Sequence, residues 1–388
     1  MDFLDLVETI RAEEADVQRL FGKEGTGMRH TAGHMGPHYA RQLAEAAKFM
    51  ADIVKGKRSM RHLQEAMTTS DFPYLFGDIL DRQVLTAYRE APSTYQNFVH
   101  ISTVRDFRAV KRFSVYGADT VLSEVKEKQE YPIGKIDENA PYTYAVKKYG
   151  RKLGFSWETM VNDDLEALQD GPVRLGRAAR RSEQRFVTTL YVDASGPHAS
   201  LYTAGNKNIV TSNPALTIQA LQTAMQVLSK QVDENGEPIV IDMIELVVPP
   251  ALEITALNIL NALQLWIDPN TAAGTAKQTL VTQNWMKARF RLTVDYYMPL
   301  VASTANGSTS WFLFANPDSG RPALELGKLR GHEEPEIFMK TPNSTRVGGG
   351  ASEEFDFETD TAEYKVRHVF GGSRMDPKMT VASNGSGS

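Results

Sequence analysis

The chain has 388 residues, 23% of them charged, and a formal net charge of −5, so no overall basic field draws it to nucleic acid. It contains no cysteine, which excludes disulfides and thiolate metal sites and fits a chain made in a reducing cytoplasm. No apolar run reaches the roughly 18 residues of a membrane span, and the N-terminus lacks the basic and then apolar order of a signal peptide.

The N-terminal part of the sequence has the apolar spacing of helices. Residues 3–21 and 38–67 are predicted to be helical, and a link rich in glycine and histidine joins them. Residues 74–90 are predicted to form a short amphipathic helix. The helix at 38–67 carries an apolar stripe that needs a partner to cover it, made of Leu43, Ala47, Met50 and Val54.

The stretch 104–157 is the most informative part of the sequence, because it is predicted to form a long, highly charged β-hairpin. Its returning strand alternates apolar and polar residues, as at Tyr142, Tyr144 and Val146. Its tip, residues 130–141, contains the proline, glycine and asparagine of a turn. An isolated two-stranded hairpin is marginal in water. We therefore expect this arm to lie on another molecule, which indicates assembly rather than catalysis.

The next region is predicted to be helical and two-faced. A helix is expected at about 157–168, and Gly171-Pro172 is expected to start another that runs to about Val192. At 100° per residue, Leu175, Ala179, Phe186 and Leu190 form one stripe that packs on a core. The opposite stripe is a line of guanidinium groups, Arg174, Arg177, Arg181 and Arg185.

Residues 213–320 are predicted to form a separate α/β unit. Asn213-Pro214 is expected to open a helix, and the nearly continuous apolar run 239–248 predicts a strand buried on both faces. Pro249-Pro250 ends that strand, and a further helix follows. Short strands are predicted at 290–294 and 311–314.

The C-terminal part is predicted to be extended. Residues 333–342 and 354–370 have the alternation of strands, and three glycines at 348–350 join them. The tail 383–388 contains only glycine, serine and asparagine and is expected to be mobile.

None of the short motifs predicts a catalytic, metal or cofactor site. His30, His34 and His38 have the spacing of a helical metal site, but Gly33, Gly36 and Pro37 break any helix there, so a polar loop is favoured. A glycine-rich stretch at 22–27 lacks the closing Gly-Lys-Ser/Thr of a phosphate loop. No nucleophile, base and orienting group converge.

Two segments carry a resemblance to a known family: Leu246–Pro250 followed by a helix, and Tyr364–Gly372 followed by Asp376–Met379. With the order of elements, they resemble major capsid proteins of tailed phages with the Hong Kong 97 fold, of the actinobacterial-phage type. The resemblance covers about 70–388 and implies an α+β fold. It implies the following division: 1–103, a helical N-terminal arm; 104–157, an extended β-hairpin loop; 158–212, the spine helix and the start of the peripheral domain; 213–325, the axial domain; and 326–388, the returning strands of the peripheral domain and the C-terminal tail.

The resemblance also implies a function. It implies a major capsid protein that assembles, through pentamers and hexamers of itself, into the icosahedral head of a tailed phage around double-stranded DNA. The virion capsid is then its location, the host bacterial cytoplasm its place of synthesis, and portal and scaffolding proteins its partners, with a decoration protein left open. The alternative is an encapsulin-type shell, which has the same fold but encloses an enzyme; the long N-terminal region and the local matches favour the phage protein. A soluble enzyme is the weakest reading.

Two sets of residues are the candidate contact sites. Exposed apolar residues on a charged hairpin mark a contact, so the loop tip is expected to touch a neighbouring subunit through Tyr131, Pro132, Ile133 and Lys135. The arginine stripe at Arg174, Arg177, Arg181 and Arg185 faces packaged DNA, pairs with acids of a neighbour, or is only solvated. Any DNA contact is expected to be to phosphate, without base reading.

Overall fold

The computed structural model describes most of the chain from residue 72 onwards. The described residues are 45–49, 52, 57, 72–116, 124–130, 137–156, 165–232, 236, 238–267, 280–318, 320–340, 344–345, 352–353, 358–359 and 361–387. They divide into two compact units. The first unit falls within Met1–Pro92, Lys148–Arg181 and His332–Val369, and the second within Ser93–Lys147, Ser182–Gly331 and Phe370–Ser388.

Helices and strands are both abundant in these ranges. The helices are α1 (Phe72–Glu90), α2 (Leu165–Tyr191), α3 (Ile218–Ser229), α4 (Glu253–Asn261), α5 (Met286–Arg289), α6 (Met298–Val301) and α7 (Asn306–Thr309), with 3₁₀ turns at Tyr95–Asn97, Pro250–Leu252 and Pro377–Met379. The strands up to the middle of the chain are β1 (His100–Val104), β2 (Val110–Tyr116), β3 (Asp137–Tyr144), β4 (Lys147–Ser156), β5 (Val192–Asp193), β6 (Gly196–Pro197) and β7 (Ile244–Val248). The later strands are β8 (Gln264–Ile267), β9 (Leu280–Gln283), β10 (Phe290–Val294), β11 (Trp311–Ala315), β12 (Leu324–Leu329), β13 (Glu336–Met339), β14 (Ser344–Thr345), β15 (Ser352–Glu353), β16 (Thr361–Arg374) and β17 (Thr380–Ser383).

The core of the second unit is a four-stranded sheet in the order β10, β7, β11, β17. β10 and β7 are parallel, whereas β11 is antiparallel to both β7 and β17. Every residue of β7, β11 and β17 is buried. Leu221 and Leu228 of α3 pack with Leu246 and Leu313 of the sheet in one apolar cluster. β7, which is apolar except for Glu245, is thus a strand buried on both faces.

Several boundaries in this unit differ from those predicted. The helix expected from Asn213 begins at Ile218, because Thr217 caps it and accepts a hydrogen bond from the Ala220 amide at 3.1 Å. The strand expected from residue 239 begins at Ile244. The expectation of a mobile tail is wrong through Gly387: β17 pairs with β11, and the Gly387 amide donates to the Asn213 carbonyl at 2.8 Å.

A second group of strands surrounds the long strand β16. In the second unit, β1 is parallel to β12, and β12 is antiparallel to the last residues of β16, from Phe370 to Arg374. In the first unit, β13 is antiparallel to the earlier part of β16, from Tyr364 to Arg367, and β4 pairs with β16. Lys147–Ser156 was expected to be the base of the hairpin arm, so its pairing with β16 corrects that expectation.

The long helix α2 also corrects a prediction. The sequence predicts a break at Gly171-Pro172, but α2 is continuous, with Pro172 inside it. Both residues are buried. Packing of the apolar stripe, which includes Leu175 and Leu190, therefore outweighs the hydrogen bond that Pro172 does not make.

Candidate assembly surfaces

The hairpin arm is shorter than predicted and consists of β2 and β3. Val110 lies opposite Tyr144 and Tyr116 opposite Asp137, with an irregularity between Arg112 and Ser114. Residues 137–141, which were expected to belong to the tip, are therefore part of strand β3. Residues 124–130 form an irregular segment with a turn, and all but Val125 are exposed.

The predicted loop tip lies outside the described residues, with Tyr131, Pro132, Ile133 and Lys135. The same holds for the histidines at the candidate metal spacing, His30, His34 and His38, and for three members of the N-terminal apolar stripe, Leu43, Met50 and Val54. The fourth member, Ala47, is described; it lies in a helical stretch at 45–49 and is fully buried.

At the base of the hairpin, three side chains converge on one carboxylate, that of Glu325 on β12. The Tyr144 hydroxyl donates to Glu325 Oε1 at 2.5 Å, and the Ser102 hydroxyl donates to the same oxygen at 2.5 Å. Arg112 adds its Nε at 2.8 Å and a second guanidinium nitrogen at 2.6 Å. The Glu325 side chain is 3% exposed. We call these four residues the arm clamp.

The surroundings of the arm clamp raise the pKa of two of its hydrogen-bond donors, Arg112 and Tyr144. Burial, the largest influence, lowers the pKa of Arg112, but the hydrogen bond and the charge of Glu325 outweigh it, so that its pKa is raised. Burial, followed by the hydrogen bond to Glu325, raises the pKa of Tyr144. Both shifts keep the proton on the donor. Because the donors come from β1, β2 and β3 and the acceptor from β12, the clamp fixes both hairpin strands to the sheet.

Close backbone approaches reinforce the clamp. A Cβ atom at Gly327 would lie 2.6 Å from a ring carbon of Tyr144, and one at Gly371 would lie 2.4 Å from the Ala145 carbonyl oxygen. Only glycine leaves room for the hairpin at these two points. The base of the hairpin therefore lies against the rest of the second unit at two glycines.

Strand β12 carries a second buried charge next to the clamp. Lys328 Nζ lies 3.1 Å from Oε1 of Glu183 on α2, and the Tyr95 hydroxyl donates to the other carboxylate oxygen at 2.7 Å. The Glu183 side chain is wholly buried. Buried charges are tolerated when they are paired and hydrogen-bonded in this way. In the second unit, β12 thus joins the hairpin base to the C-terminal part of α2.

The arginine stripe lies on α2 as the sequence predicts. Arg174, Arg177, Arg181 and Arg185 are all exposed. Leu175, Ala179 and Leu190 of the opposite stripe are buried, and Phe186 is half-buried. Arg180, between the two stripes, is itself buried: its guanidinium lies 4.0 Å from the centre of the Tyr88 ring and donates to the Tyr88 carbonyl at 3.2 Å.

The sequence matches the profile of a family described as "Phage capsid protein" over residues 140–383, well over half of the chain. The chain belongs to the phage capsid protein family. This match confirms the family and the α+β, Hong Kong 97-like fold class expected from the sequence. The protein is a phage major capsid protein, a structural component of the virion capsid that assembles with copies of itself into a shell.

Solved structures of shell proteins are similar to this capsid protein at low identity. A virus-like particle from Pyrococcus furiosus has 10% identity and a TM-score of 0.40, covering 79% of this chain and 99% of the other. Microbacterium phage Oxtober96 has 8% identity and a TM-score of 0.42, covering 74% and 85%. The SrpI encapsulin complex of Synechococcus elongatus has 11% and 0.44, covering 76% and 89%. No curated protein matches the sequence.

Neither a metal site nor a membrane span was found in the described part of this capsid protein. The described residues contain no group of three or more His, Asp or Glu side chains arranged to hold a metal ion. Their helices include none that is long and apolar enough to cross a membrane.

The sequence reasoning missed the arm clamp of this capsid protein. Ser102, Arg112 and Glu325 were not singled out, and Tyr144 was noted only for its alternation. The available signal was Glu325 between Leu324 and Leu326, because a carboxylate flanked by leucines in a strand needs partners when it is buried.

Proposed function

We propose that this capsid protein forms the icosahedral head shell of a tailed double-stranded DNA phage, through pentamers and hexamers, with the hairpin arm of each copy lying on a neighbour. The observation that carries this is the arm itself. β2 and β3 pair with each other over their length, and the arm clamp ties the base of this hairpin to β12. A two-stranded hairpin is marginal in water and gains stability from a surface supplied by another copy.

The domain division is part of the same proposal. Residues 1–103 act as the N-terminal arm, 104–157 as the extended loop, 158–212 as the spine and first peripheral segment, 213–325 as the axial domain and 326–388 as the returning peripheral segment and tail. The apolar four-stranded sheet supports a self-sufficient domain around 213–325, to which β17 adds a strand from the C-terminal tail.

Two contact sites complete the proposal. The loop tip, with Tyr131, Pro132, Ile133 and Lys135, seats the arm on the neighbouring copy; three of the four are apolar or aromatic in a charged hairpin. The exposed arginines of α2, Arg174, Arg177, Arg181 and Arg185, face packaged DNA, with acids of a neighbouring copy as the alternative.

The remaining parts of the proposal concern partners. The protein is made in the host bacterial cytoplasm, works with portal and scaffolding proteins and encloses DNA without reading its sequence. It carries out no catalysis and uses no cofactor, in keeping with the structural role of its family.

Negative-stain microscopy of the purified protein tests the proposal. Large closed shells are the expected result for the purified protein. In an infected host, these shells are expected to package DNA. Small particles of uniform size that contain a cargo enzyme would favour the encapsulin alternative. Lone subunits under all assembly conditions would contradict both.

A further inference from the structure

Two residues of the second unit bind the last two carbonyl groups of the helix α2. Arg374, the last residue of β16, donates through its Nε to the Leu190 carbonyl at 2.6 Å. His198, directly after β6, donates through its backbone amide to the Tyr191 carbonyl at 2.9 Å. The last carbonyls of a helix have no partner within the helix. These two bonds therefore fix the end of α2 to the end of β16 and to the chain after β6.

The same two residues also contact each other through their side chains. A terminal guanidinium nitrogen of Arg374 lies 2.5 Å from Nε2 of His198. Because arginine stays protonated and has no acceptor, its nitrogen is the donor and the imidazole nitrogen is the acceptor. The other ring nitrogen, Nδ1, faces the backbone amide of Ser200 at 3.1 Å. A neutral imidazole can accept at one of these two nitrogens, whereas an imidazolium can accept at neither.

In the described part of the chain, two charged side chains act on the imidazole of His198, those of Arg374 and Asp193. The Asp193 carboxylate favours a positive imidazole, but it is also engaged by the amides of Ser195 and Ala199, at 2.8 and 2.9 Å, and by the Ser195 hydroxyl at 2.7 Å. Burial and then the charge of Arg374 lower the pKa of His198, and they outweigh the opposing effect of Asp193. The surroundings therefore favour the neutral imidazole.

We propose that His198 and Arg374 form an acid-sensitive latch, which is closed while the imidazole is neutral and opens when the imidazole takes up a proton. The closed latch holds the guanidinium between the Leu190 carbonyl and the imidazole. An imidazolium no longer accepts and places a second cation beside the first, so the guanidinium loses one partner and is repelled. The tie between β16 and the end of α2 weakens as a result. The latch is a property of the subunit and goes beyond the proposed shell.

The lowered pKa of His198 fixes the direction of the pH effect. Because His198 takes up its proton at a higher pH in the unfolded chain than in the folded subunit, the folded subunit is favoured while the imidazole is neutral. This contribution is fully present above the unfolded pKa of about 6.5. It is lost as pH falls through the unfolded and then the folded pKa. The latch should therefore be closed at neutral pH and open in mild acid.

A variant that keeps the acceptor but cannot take up the proton tests the latch. The side-chain oxygen of glutamine can replace Nε2, so His198→Gln should still accept from Arg374. Hydrogen exchange of unassembled, full-length subunits is measured in the peptide 190–202, with parent and variant compared at the same pH. At about pH 7.5 the two should exchange alike. At about pH 5.5 the parent should exchange about two- to tenfold faster, as expected for the loss of one hydrogen bond.

Arg374→Gln provides a second, independent test, because it removes the other half of the latch. This variant loses the charged donor to Leu190 and should exchange faster than the parent in the same peptide at about pH 7.5. The gap should narrow at about pH 5.5, because the latch of the parent opens there. A gap that stays constant or widens in acid would contradict the latch.

A histidine elsewhere in the second unit supplies the matched control. His100, at the start of β1, lies 3.7 Å from Asp318, and His100→Gln should leave the exchange of the peptide 190–202 as in the parent at both pH values. An equal effect of His100→Gln would mean that acid acts on the subunit in general, and the proposal would be wrong. Equal exchange of the parent and His198→Gln at both pH values would also overturn it, as would a difference of the same size at both. If circular dichroism shows that His198→Gln is misfolded, the comparison with Arg374→Gln decides.

Discussion

The four-stranded sheet and the hairpin arm are both β-structures of the second unit, yet they are stabilised in opposite ways. Every residue of β7, β11 and β17 is buried, and aromatic rings stack on the sheet, as Phe98 does on Phe314 at 4.8 Å. The hairpin is instead tied to its sheet by polar contacts, through three donors that share the buried carboxylate of Glu325.

The difference separates what a subunit needs in order to fold from what it needs in order to assemble. Burial of apolar surface is non-directional and stabilises the sheet in any surroundings. Hydrogen bonds to a buried charge contribute less net free energy but demand particular geometry, so they set the direction of the hairpin more than the stability of the unit. Changes in the sheet should therefore affect folding, and changes in the hairpin should affect assembly.

Shortening the arm should have the largest effect on assembly while leaving folding intact. Because Tyr116 and Asp137 lie directly opposite each other, an Asn-Gly turn can replace residues 117–136 and close the hairpin with two residues. We expect no shells, while the subunit stays soluble and folded, because the clamp and the sheet are untouched. Microscopy measures the first effect and thermal unfolding the second.

The outcome of that truncation is decisive for the arm. Normal shells from the shortened chain would show that the arm is not an intersubunit contact. A matched control replaces only residues 124–129 by a glycine-serine linker of equal length, which keeps the tip sequence and should assemble at a higher yield than the truncated chain.

Removing an aromatic ring from the sheet should have the largest effect on stability. Phe314 is fully buried and touches Phe98 and Tyr191. Phe314→Ala is expected to lower the free energy of unfolding by about 3–5 kcal/mol, measured by urea titration of unassembled subunits. Tyr296→Ala, at an exposed ring of the same unit, should change it by less than about 0.5 kcal/mol. Similar losses for both would contradict the assignment of the core to this sheet.

Neutralising the clamp should have an intermediate effect. Glu325→Gln keeps the shape of the side chain but removes the charge that Arg112 faces, and we expect a loss of about 1–3 kcal/mol in unfolding free energy, with a clear fall in shell yield. Glu334→Gln is the control, because its pair with Arg89 is bidentate at 2.9 Å but exposed, and such pairs contribute about 0–1 kcal/mol. If both variants assemble and unfold like the parent, the clamp does not position the arm.

A smaller, pH-dependent effect should distinguish two carboxylates. Burial raises the pKa of Glu245, on β7, above its value in the unfolded chain, so ionisation of this carboxyl opposes folding. The folded protein is therefore favoured while Glu245 is protonated, and the free energy of unfolding falls as pH rises through the unfolded and then the folded pKa. Glu245→Gln cannot ionise. The melting temperature of this variant, relative to that of the parent, should therefore be higher at pH 7 than at about pH 4.

Glu336 on β13 is the matched control, with the opposite sign. Burial alone would raise its pKa, but the hydrogen bonds from His332 and Arg367 outweigh burial and lower it. Its charge stabilises the folded state above the unfolded pKa, and this stability is lost as pH falls through the folded pKa. Glu336→Gln should thus be less stable than the parent at pH 7, with a gap that narrows below about pH 4. Parallel pH profiles for the two variants would contradict these assignments.

The periodicity of apolar residues was enough to predict the helices and strands whose formation depends on neighbouring residues in the sequence. The strand at Phe290–Val294 and the two stripes of α2 follow directly from periodicity. The family resemblance, carried by residues such as Leu246–Pro250, gave the fold class and function. Pairing was less predictable: alternation identified Lys147–Ser156 as part of a strand but not its partner β16, since strand partners are chosen by contacts remote in sequence.

The clamp lay beyond prediction for the same reason. Ser102, Arg112, Tyr144 and Glu325 are separated by up to 223 residues and meet only when β1, β2, β3 and β12 are assembled. The continuity of α2 through Pro172 is likewise decided by tertiary packing, because the local signal there favours a helix start.

The same contrast between folding and assembly exists within the single helix α2, and it gives the smallest expected effect. Leu175 and Leu190 are buried, whereas Arg177 and Arg181 are exposed. Arg177→Gln with Arg181→Gln should change subunit stability by less than about 0.5 kcal/mol and leave empty shells intact.

If the stripe faces DNA, filled particles should lose heat resistance at low salt and lose less at high salt, because phosphate contacts of this kind are weak, independent of sequence and steeply salt-dependent. Lys230→Gln with Lys287→Gln is the control for a general change in charge. Failure of empty shells would assign the arginines to subunit pairing, and particles that package DNA and resist heat like the parent would leave the stripe as a solvated face.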